Sequence, residues 1–107
     1  MLVSIHQNQY PSPGPRGVQV FYNDYDGSRE FAVYAQELLL RGVGGSERTA
    51  SRISDSIYLM RKAECPAILV ECGFLSNPEE AKKLSQDDYQ QKIAKAVYKG
   101  ICDFFEI

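Results

Sequence analysis

Two ionisable side chains stand at the ends of largely apolar segments, His6 after residues 2–5 and Glu71 after residues 68–70. An imidazole can ligate a metal ion, and a carboxylate can act as a general base. If both segments are parallel strands, their carboxyl ends meet at one edge of the sheet, where open α/β proteins place their sites. A carboxylate buried without a partner is costly, so Glu71 needs either a partner or a task. A metal ion with a bound water would supply both.

Both residues also have ordinary structural interpretations. A histidine at a strand end is often only a hydrogen-bonded residue, and Glu71 could instead pair with Arg48, Arg52 or Arg61. Arg48 and Arg52 are in turn candidates for contacting an anionic substrate group, although a solvated arginine is the more common case. One histidine cannot hold zinc by itself, because catalytic zinc sites usually have three protein ligands.

The cysteines offer a different chemistry, since Cys72 and His6 could form a nucleophilic pair. Neighbouring strand residues face opposite sides of a sheet, however, so Glu71 and Cys72 cannot both point towards His6. We therefore expect Cys72 to be a small buried side chain. Together with Cys65 and Cys102 it forms no CxxC pair and no even set, which indicates reduced thiols rather than a disulfide framework.

Composition excludes several classes of protein. The chain has 107 residues, of which 44% are hydrophobic and 24% charged, and its net charge is −2. These values are typical of one small globular domain. Basic runs are absent, so we expect no nucleic-acid partner. No apolar stretch reaches transmembrane length, and an apolar strand rather than a basic leader follows Met1, so we expect no signal peptide in this chain.

Four segments have the composition of β-strands. The clearest is residues 67–70, a continuous apolar run typical of a parallel strand that is covered on both faces. The others are residues 2–5, 18–22 and 57–60. A Pro- and Gly-rich loop over residues 10–17 follows the His6 strand and is either a wall of a substrate cleft or a rigid connection. Residues 44–56 are predicted to be a loop or a broken helix.

Capping residues predict two of the helices. Ser28 is the expected N-cap of a helix that runs to about Leu40, with Gly42 as its stop signal. Asn77 is expected to cap a short helix whose first residue is a proline and which carries Glu80 three residues past the cap, a capping-box arrangement.

A last helix is predicted over residues 87–105 by its apolar periodicity. Its apolar stripe consists of Tyr89, Ile93, Val97, Ile101 and Phe104. Strands interleaved with helices predict an α/β fold with an open, mostly parallel twisted sheet flanked by helices.

Two motifs resemble those of a known family. SIHQN at residues 4–8 and PAILVECGFLSN at residues 66–77 resemble the third and last sequence blocks of the zinc amidases known as the amidase-3 family. The family pattern is SIHxN, followed later by PAxLVExGFLSNxxE. GVQVFY at residues 17–22 resembles the strand after the histidine block, and YQQKIA at residues 89–94 resembles the start of the family's last helix. The resemblance covers essentially the whole chain in order.

The resemblance implies a site and also a missing part of it. Family members hold zinc with a histidine in an N-terminal DPGHGG turn, a glutamate further along and the histidine of SIHxN, while the glutamate of VExGF is the catalytic acid/base. Carried over, His6 is the third zinc ligand and Glu71 the general base. The chain contains neither DPGHGG nor a segment for the second ligand. Residues 1–107 are therefore expected to be the C-terminal part of a single amidase catalytic domain, with a sheet incomplete at its N-terminal side.

The implied function is hydrolysis of the amide between N-acetylmuramic acid and L-alanine in peptidoglycan or muropeptides, by zinc-assisted attack of water. The family acts at the cell wall, outside the cytoplasm. One alternative is an inactive, truncated remnant that at most binds the cell wall or a partner. A third hypothesis is a Cys–His hydrolase, for which Cys72→Ala would abolish activity while Glu71→Ala would spare it.

Overall fold

Four strands form one open sheet. The computed structural model describes all 107 residues and orders the strands β1-β4-β2-β3. Their bounds are Leu2–Asn8 for β1, Gln19–Tyr22 for β2, Ser51–Arg52 for β3 and Ala67–Phe74 for β4. The β1–β4 and β2–β3 pairs are parallel, and the β2–β4 pair is antiparallel. The predicted open α/β sheet is confirmed, and two of its three pairings are parallel.

Four helices flank this sheet. Their bounds are Ser28–Val43 for α1, Tyr58–Lys62 for α2, Pro78–Leu84 for α3 and Asp87–Phe105 for α4. The main core lies on the face where α1, α3 and α4 pack against the sheet. The opposite face carries a smaller cluster around Met60 of α2. None of the helices combines the length and the apolar character that crossing a membrane requires.

The central strand β4 contributes to both cores. Successive side chains of a strand point to opposite faces, so Ile68, Val70 and Cys72 join the main core while Ala67 and Leu69 join the smaller cluster. This double burial explains the continuous apolar run and confirms that the strand is covered on both faces.

Helix α4 has the predicted bounds and the predicted apolar stripe. Near its end, the rings of Phe104 and Phe105 each lie 5.1 Å from the ring of Phe31 on α1, one stacked and one edge-on. Gly100 is buried at this contact, and a Cβ atom there would make an ordinary van der Waals contact, 3.7 Å from Ala35. The contact between α1 and α4 therefore covers one side of the main core.

Two secondary-structure predictions were wrong. Residues 57–60 are not a strand, because helix α2 begins at Tyr58 and the Arg61 N–H donates to the Ile57 carbonyl. Only Met60 of this run is buried, so a single apolar anchor replaces the alternating contacts that a strand would need. Within the predicted loop over residues 44–56, the backbone of Ser51–Arg52 pairs with β2 as a two-residue strand.

The boundaries of α1 also differ from the prediction. Gly27, in the left-handed region with φ of 90°, is the N-cap, and the helix continues past Gly42 to Val43, with Gly44 as its C-cap. The Ser28 hydroxyl does not cap the helix. It donates to Asn23 at 2.5 Å and accepts the Ala67 N–H at 2.9 Å, which fixes the helix start to the beginning of β4.

The cap of α3 is confirmed in part. The Asn77 side chain accepts the Glu80 N–H, as predicted for an N-cap. The Glu80 carboxylate does not return a bond to the cap residue. Its Oε1 accepts the N–H groups of Gly17 and Phe74, both at 2.9 Å. Gly73 leaves room for this carboxylate, since a Cβ there would lie 3.2 Å from Oε1.

We predict that Glu80→Ala lowers the free energy of unfolding by about 2–4 kcal/mol, because two buried N–H donors lose their acceptor. Urea unfolding monitored by circular dichroism measures the loss. The matched control is Glu79→Ala, whose carboxylate is exposed and makes only a surface ion pair with Arg16, so it should cost less than about 1 kcal/mol. Equal losses in the two variants would contradict the structural role of Glu80.

Candidate functional site

The parallel register of β1 and β4 brings the two predicted site residues together. His6 is the pairing partner of Glu71 on the neighbouring strand, and adjacent strands lie about 4.8 Å apart. Paired positions project to the same face, which is the lightly covered face opposite α1 and α4. The structure therefore brings His6 and Glu71 together on one face of the sheet, as the sequence predicts. They lie within the second half of their strands, because β1 continues to Asn8 and β4 to Phe74.

Glu71 lies in an environment that disfavours its charge. The side chain is half-buried, and its Oε2 atom is buried without any hydrogen-bond partner. Burial raises the pKa of this carboxyl group above its ordinary value, while the neighbouring His6 lowers it by a smaller amount. A partly desolvated carboxylate with a raised pKa is a stronger base than an ordinary exposed glutamate.

His6 lies on the outer strand of the sheet and is exposed. Its Nε2 atom lies 2.9 Å from the Ser4 hydroxyl on the same face of β1. The other ring nitrogen, Nδ1, has no hydrogen-bond partner and is free to meet a ligand. Ser4 was not predicted as a site residue, although its position two residues before His6 places it on the same face.

The alternative ion pairs for Glu71 do not form. Arg52 bonds to Asp24 and Asp55, and Arg61 lies over the Tyr58 ring. Arg48 instead contacts a backbone carbonyl, an amide and an aromatic ring. The hypothesis of a structural salt bridge to one of these arginines is therefore wrong, and Glu71 forms no ion pair with an arginine or a lysine.

Cys72 lies on the opposite face of β4, in the main core, as alternation predicts. Burial, with a smaller effect from the charge of Glu71, raises the pKa of its thiol to about 11. A thiol of that pKa forms little thiolate at neutral pH, and it does not face His6. The geometry therefore opposes the Cys–His hypothesis. All three cysteines are free thiols, as expected.

Two hydrogen bonds connect the segments that follow β1 and β4. The Leu75 N–H donates to the Asn8 carbonyl at 2.8 Å, and the Tyr10 N–H donates to the Ser76 hydroxyl at 3.0 Å. The Pro-rich loop therefore begins beside the turn that follows β4, a few residues beyond Glu71. Gln19 is the partner of Glu71 on the other side, in the antiparallel pairing of β2 with β4. Sequence reasoning missed Gln19, because only the pairing reveals this proximity.

The side chains at this edge are of the types that bind zinc, but there are too few of them for a catalytic zinc site. Imidazole and carboxylate are ordinary zinc ligands, and a catalytic zinc usually has three protein ligands. The chain brings only His6 and Glu71 together here, and nowhere does it gather three or more His, Cys, Asp or Glu side chains into a metal site. Residues 1–107 therefore do not complete a zinc site on their own.

Comparison with known proteins identifies the family. The amidase-3 family model, described as N-acetylmuramoyl-L-alanine amidase, matches residues 1–103. This chain belongs to the amidase-3 family. The germination-specific N-acetylmuramoyl-L-alanine amidase of Bacillus subtilis is 42% identical over 106 residues, which are 98% of this chain and 44% of that protein. The chain thus spans less than half the length of this amidase.

Solved amidase structures share the fold. The CwlD amidase from Clostridioides difficile, determined in complex with the GerS lipoprotein, superimposes with a TM-score of 0.90 and 40% identity, covering 97% of this chain and 53% of that one. The catalytic domain of the amidase CwlV from Bacillus (Paenibacillus) polymyxa gives a TM-score of 0.88 at 28% identity, covering 98% and 57%. Residues 1–107 therefore correspond to about half of an amidase catalytic domain.

We predict that Glu71→Gln stabilises this amidase-3 chain at neutral pH by roughly 1 kcal/mol or less. The folded protein holds the Glu71 proton more tightly than the unfolded chain, so the wild type loses stability as the pH rises from the ordinary pKa of glutamate to the raised one. The advantage of the variant should vanish below about pH 4. Urea unfolding at several pH values tests this, with Glu37→Gln on an exposed surface as control. A pH-independent difference would contradict it.

We also predict that iodoacetamide modifies Cys72 more slowly than Cys65 in the folded protein, by about tenfold or more, because the Cys72 thiol is buried and its pKa is raised. Peptide mass spectrometry at successive times gives both rates in one sample. Equal rates in denaturant serve as the control. A faster reaction at Cys72 in the folded state would restore it as a candidate nucleophile.

Proposed function

We propose that residues 1–107 form the C-terminal part of the catalytic domain of a cell-wall amidase. The reaction is hydrolysis of the amide between the lactyl group of N-acetylmuramic acid and L-alanine, and its substrates are peptidoglycan or muropeptides outside the cytoplasm. The single observation that carries this proposal is the buried, unpartnered Glu71 oxygen beside His6 on two paired parallel strands. The family match over residues 1–103 supports the choice of reaction.

Glu71 acts as the general base in this proposal. Its carboxylate would take a proton from the attacking water and return it to the leaving amine of L-alanine. Two features favour this role: the oxygen without a protein partner and the raised pKa that results from burial. No arginine neutralises the group, so its basicity is not diminished by an ion pair.

His6 acts as one ligand of a catalytic zinc ion whose remaining ligands lie outside residues 1–107. Zinc, when bound, polarises the scissile carbonyl and lowers the pKa of a bound water. The Ser4 hydroxyl holds the His6 ring through Nε2 and leaves Nδ1 for the ligand position. Such orienting contacts are a regular feature of metal-bound histidines.

A second candidate function is an inactive remnant that binds the cell wall or a partner. It is favoured by the ligand count, because His6 and Glu71 alone are fewer than the three protein ligands of a catalytic zinc site. The two candidates differ in one measurable property, which is catalysis once the remaining ligands are supplied.

We predict that residues 1–107 restore activity when they replace the matching segment of the Bacillus subtilis germination-specific amidase. The chimera should bind about one zinc ion per chain and release peptide from muropeptides. Glu71→Gln should lower the rate by about 100-fold or more while zinc stays bound, because only the proton acceptor is lost. Chromatography of released peptides and metal analysis measure both properties.

His6→Ala in the same chimera should reduce both zinc content and cleavage, whereas Cys72→Ala should retain both. The control is the unmodified Bacillus subtilis enzyme under the same conditions. A folded chimera that binds zinc but cleaves nothing would support the remnant instead. Loss of activity in Cys72→Ala with activity spared in Glu71→Gln would support the Cys–His hydrolase.

A further inference from the structure

Arg48 differs from the other arginines in its burial and in the contacts of its backbone. It is half-buried, whereas the other five arginines are exposed. The Gln36 side chain bonds to its carbonyl at 3.0 Å, and its own N–H donates to the Ser46 hydroxyl at 3.0 Å. The backbone of this residue is thereby fixed at both of its polar groups, although it lies between α1 and β3.

The guanidinium group of Arg48 is also fixed in orientation. Its Nε donates to the Arg16 carbonyl at 2.8 Å, and Nη1 donates to the Gln19 Oε1 at 3.3 Å. Gln19 is itself held by the Thr49 carbonyl at 2.8 Å. The Cζ atom of Arg48 lies 5.0 Å from the centre of the Phe74 ring, a distance typical of a cation–π contact.

These contacts leave most of the donor capacity of Arg48 unused. A guanidinium has five N–H donors, and the contacts above use one on Nε and one on Nη1. Both N–H groups of Nη2 and the second one of Nη1 have no acceptor in the protein. No carboxylate forms an ion pair with Arg48, unlike Arg16 and Arg52, which have acidic partners. A purely structural role would explain the two N–H groups that donate within the protein but not the three that have no acceptor.

Arg48 lies at the same edge of the sheet as the site. Phe74, beneath its guanidinium, is the last residue of β4, three residues beyond Glu71. Gln19, its hydrogen-bond partner, is the β2 residue paired with Glu71. Arg48 forms no ion pair with Glu71 or any other carboxylate, so its charge is available to a group that approaches from solvent.

We propose that Arg48 is a specificity-determining residue that binds a free carboxylate of the stem peptide, on the amine side of the scissile amide. This inference rests on the proposed function, since it names the group that the same site recognises. A rigid guanidinium with adjacent free donors matches a planar carboxylate in a bidentate fashion. A carboxamide at the same place offers one acceptor and no charge, so it should bind less well.

The test is a pair of muramyl dipeptides that differ only in whether the α-carboxyl group of the second residue is free or amidated. NMR titration of the 107-residue chain gives a dissociation constant for each. We expect the free acid to bind about tenfold more tightly. Arg48→Gln should bring this ratio close to one, and Arg48→Lys should restore only part of it, because lysine lacks the planar fork.

Arg52→Gln is the matched control, since it removes an exposed arginine with its own acidic partners and should leave the ratio unchanged. Amide spectra report whether each variant is folded, and Arg48→Lys carries the test if Arg48→Gln unfolds. Equal affinity of the wild type for both peptides, absence of binding, or an unchanged ratio in the folded Arg48 variants would overturn the inference. Failure of the proposed function would instead appear as a chimera that cleaves no muropeptide. An enzyme that cleaves but binds both dipeptides equally would overturn only the role of Arg48.

Discussion

The parallel pairing of β1 with β4 is the interaction on which the candidate site depends. It places His6 beside Glu71 because the two strands run in the same direction and in one register. A shift by one residue would turn one of the two side chains to the other face. That register is held from below by the apolar side chains of Val3 and Ile68, which belong to the main core.

The two faces of strand β4 differ in burial and in the side chains that they carry. One face is packed against α1 and α4 and contains Cys72, whose thiol behaves as a small apolar group. The other face carries the smaller cluster and, further along the strand, Glu71. Because the core on the first face supplies most of the burial, the second can hold a carboxylate oxygen without a partner. The stability given up there is characteristic of functional sites.

The parts of the fold that sequence predicts are those fixed by local pattern. The long helix α4 repeats its apolar stripe over many turns, and the Asn77 cap depends only on nearby residues. The proximity of His6 and Glu71 could be predicted because neighbouring parallel strands bring their carboxyl-terminal halves to the same edge of a sheet. In contrast, β3 exists only through its pairing with β2, and in α2 Met60 is the one buried residue, which local pattern does not reveal. The setting of Arg48 likewise comes from contacts distant in sequence, which no local pattern records.

The Glu80 carboxylate connects two segments at the edge of the sheet that carries Glu71. One buried oxygen accepts hydrogen bonds from both Gly17 and Phe74, so the start of β2 and the end of β4 cannot separate without exposing an unpaired donor. On the β1 side the Tyr10 loop is attached to Ser76 by an exposed bond that water can replace. Breaking the Tyr10–Ser76 bond on the β1 side therefore costs less than breaking the Glu80 contacts on the β2 side, where the donors are buried.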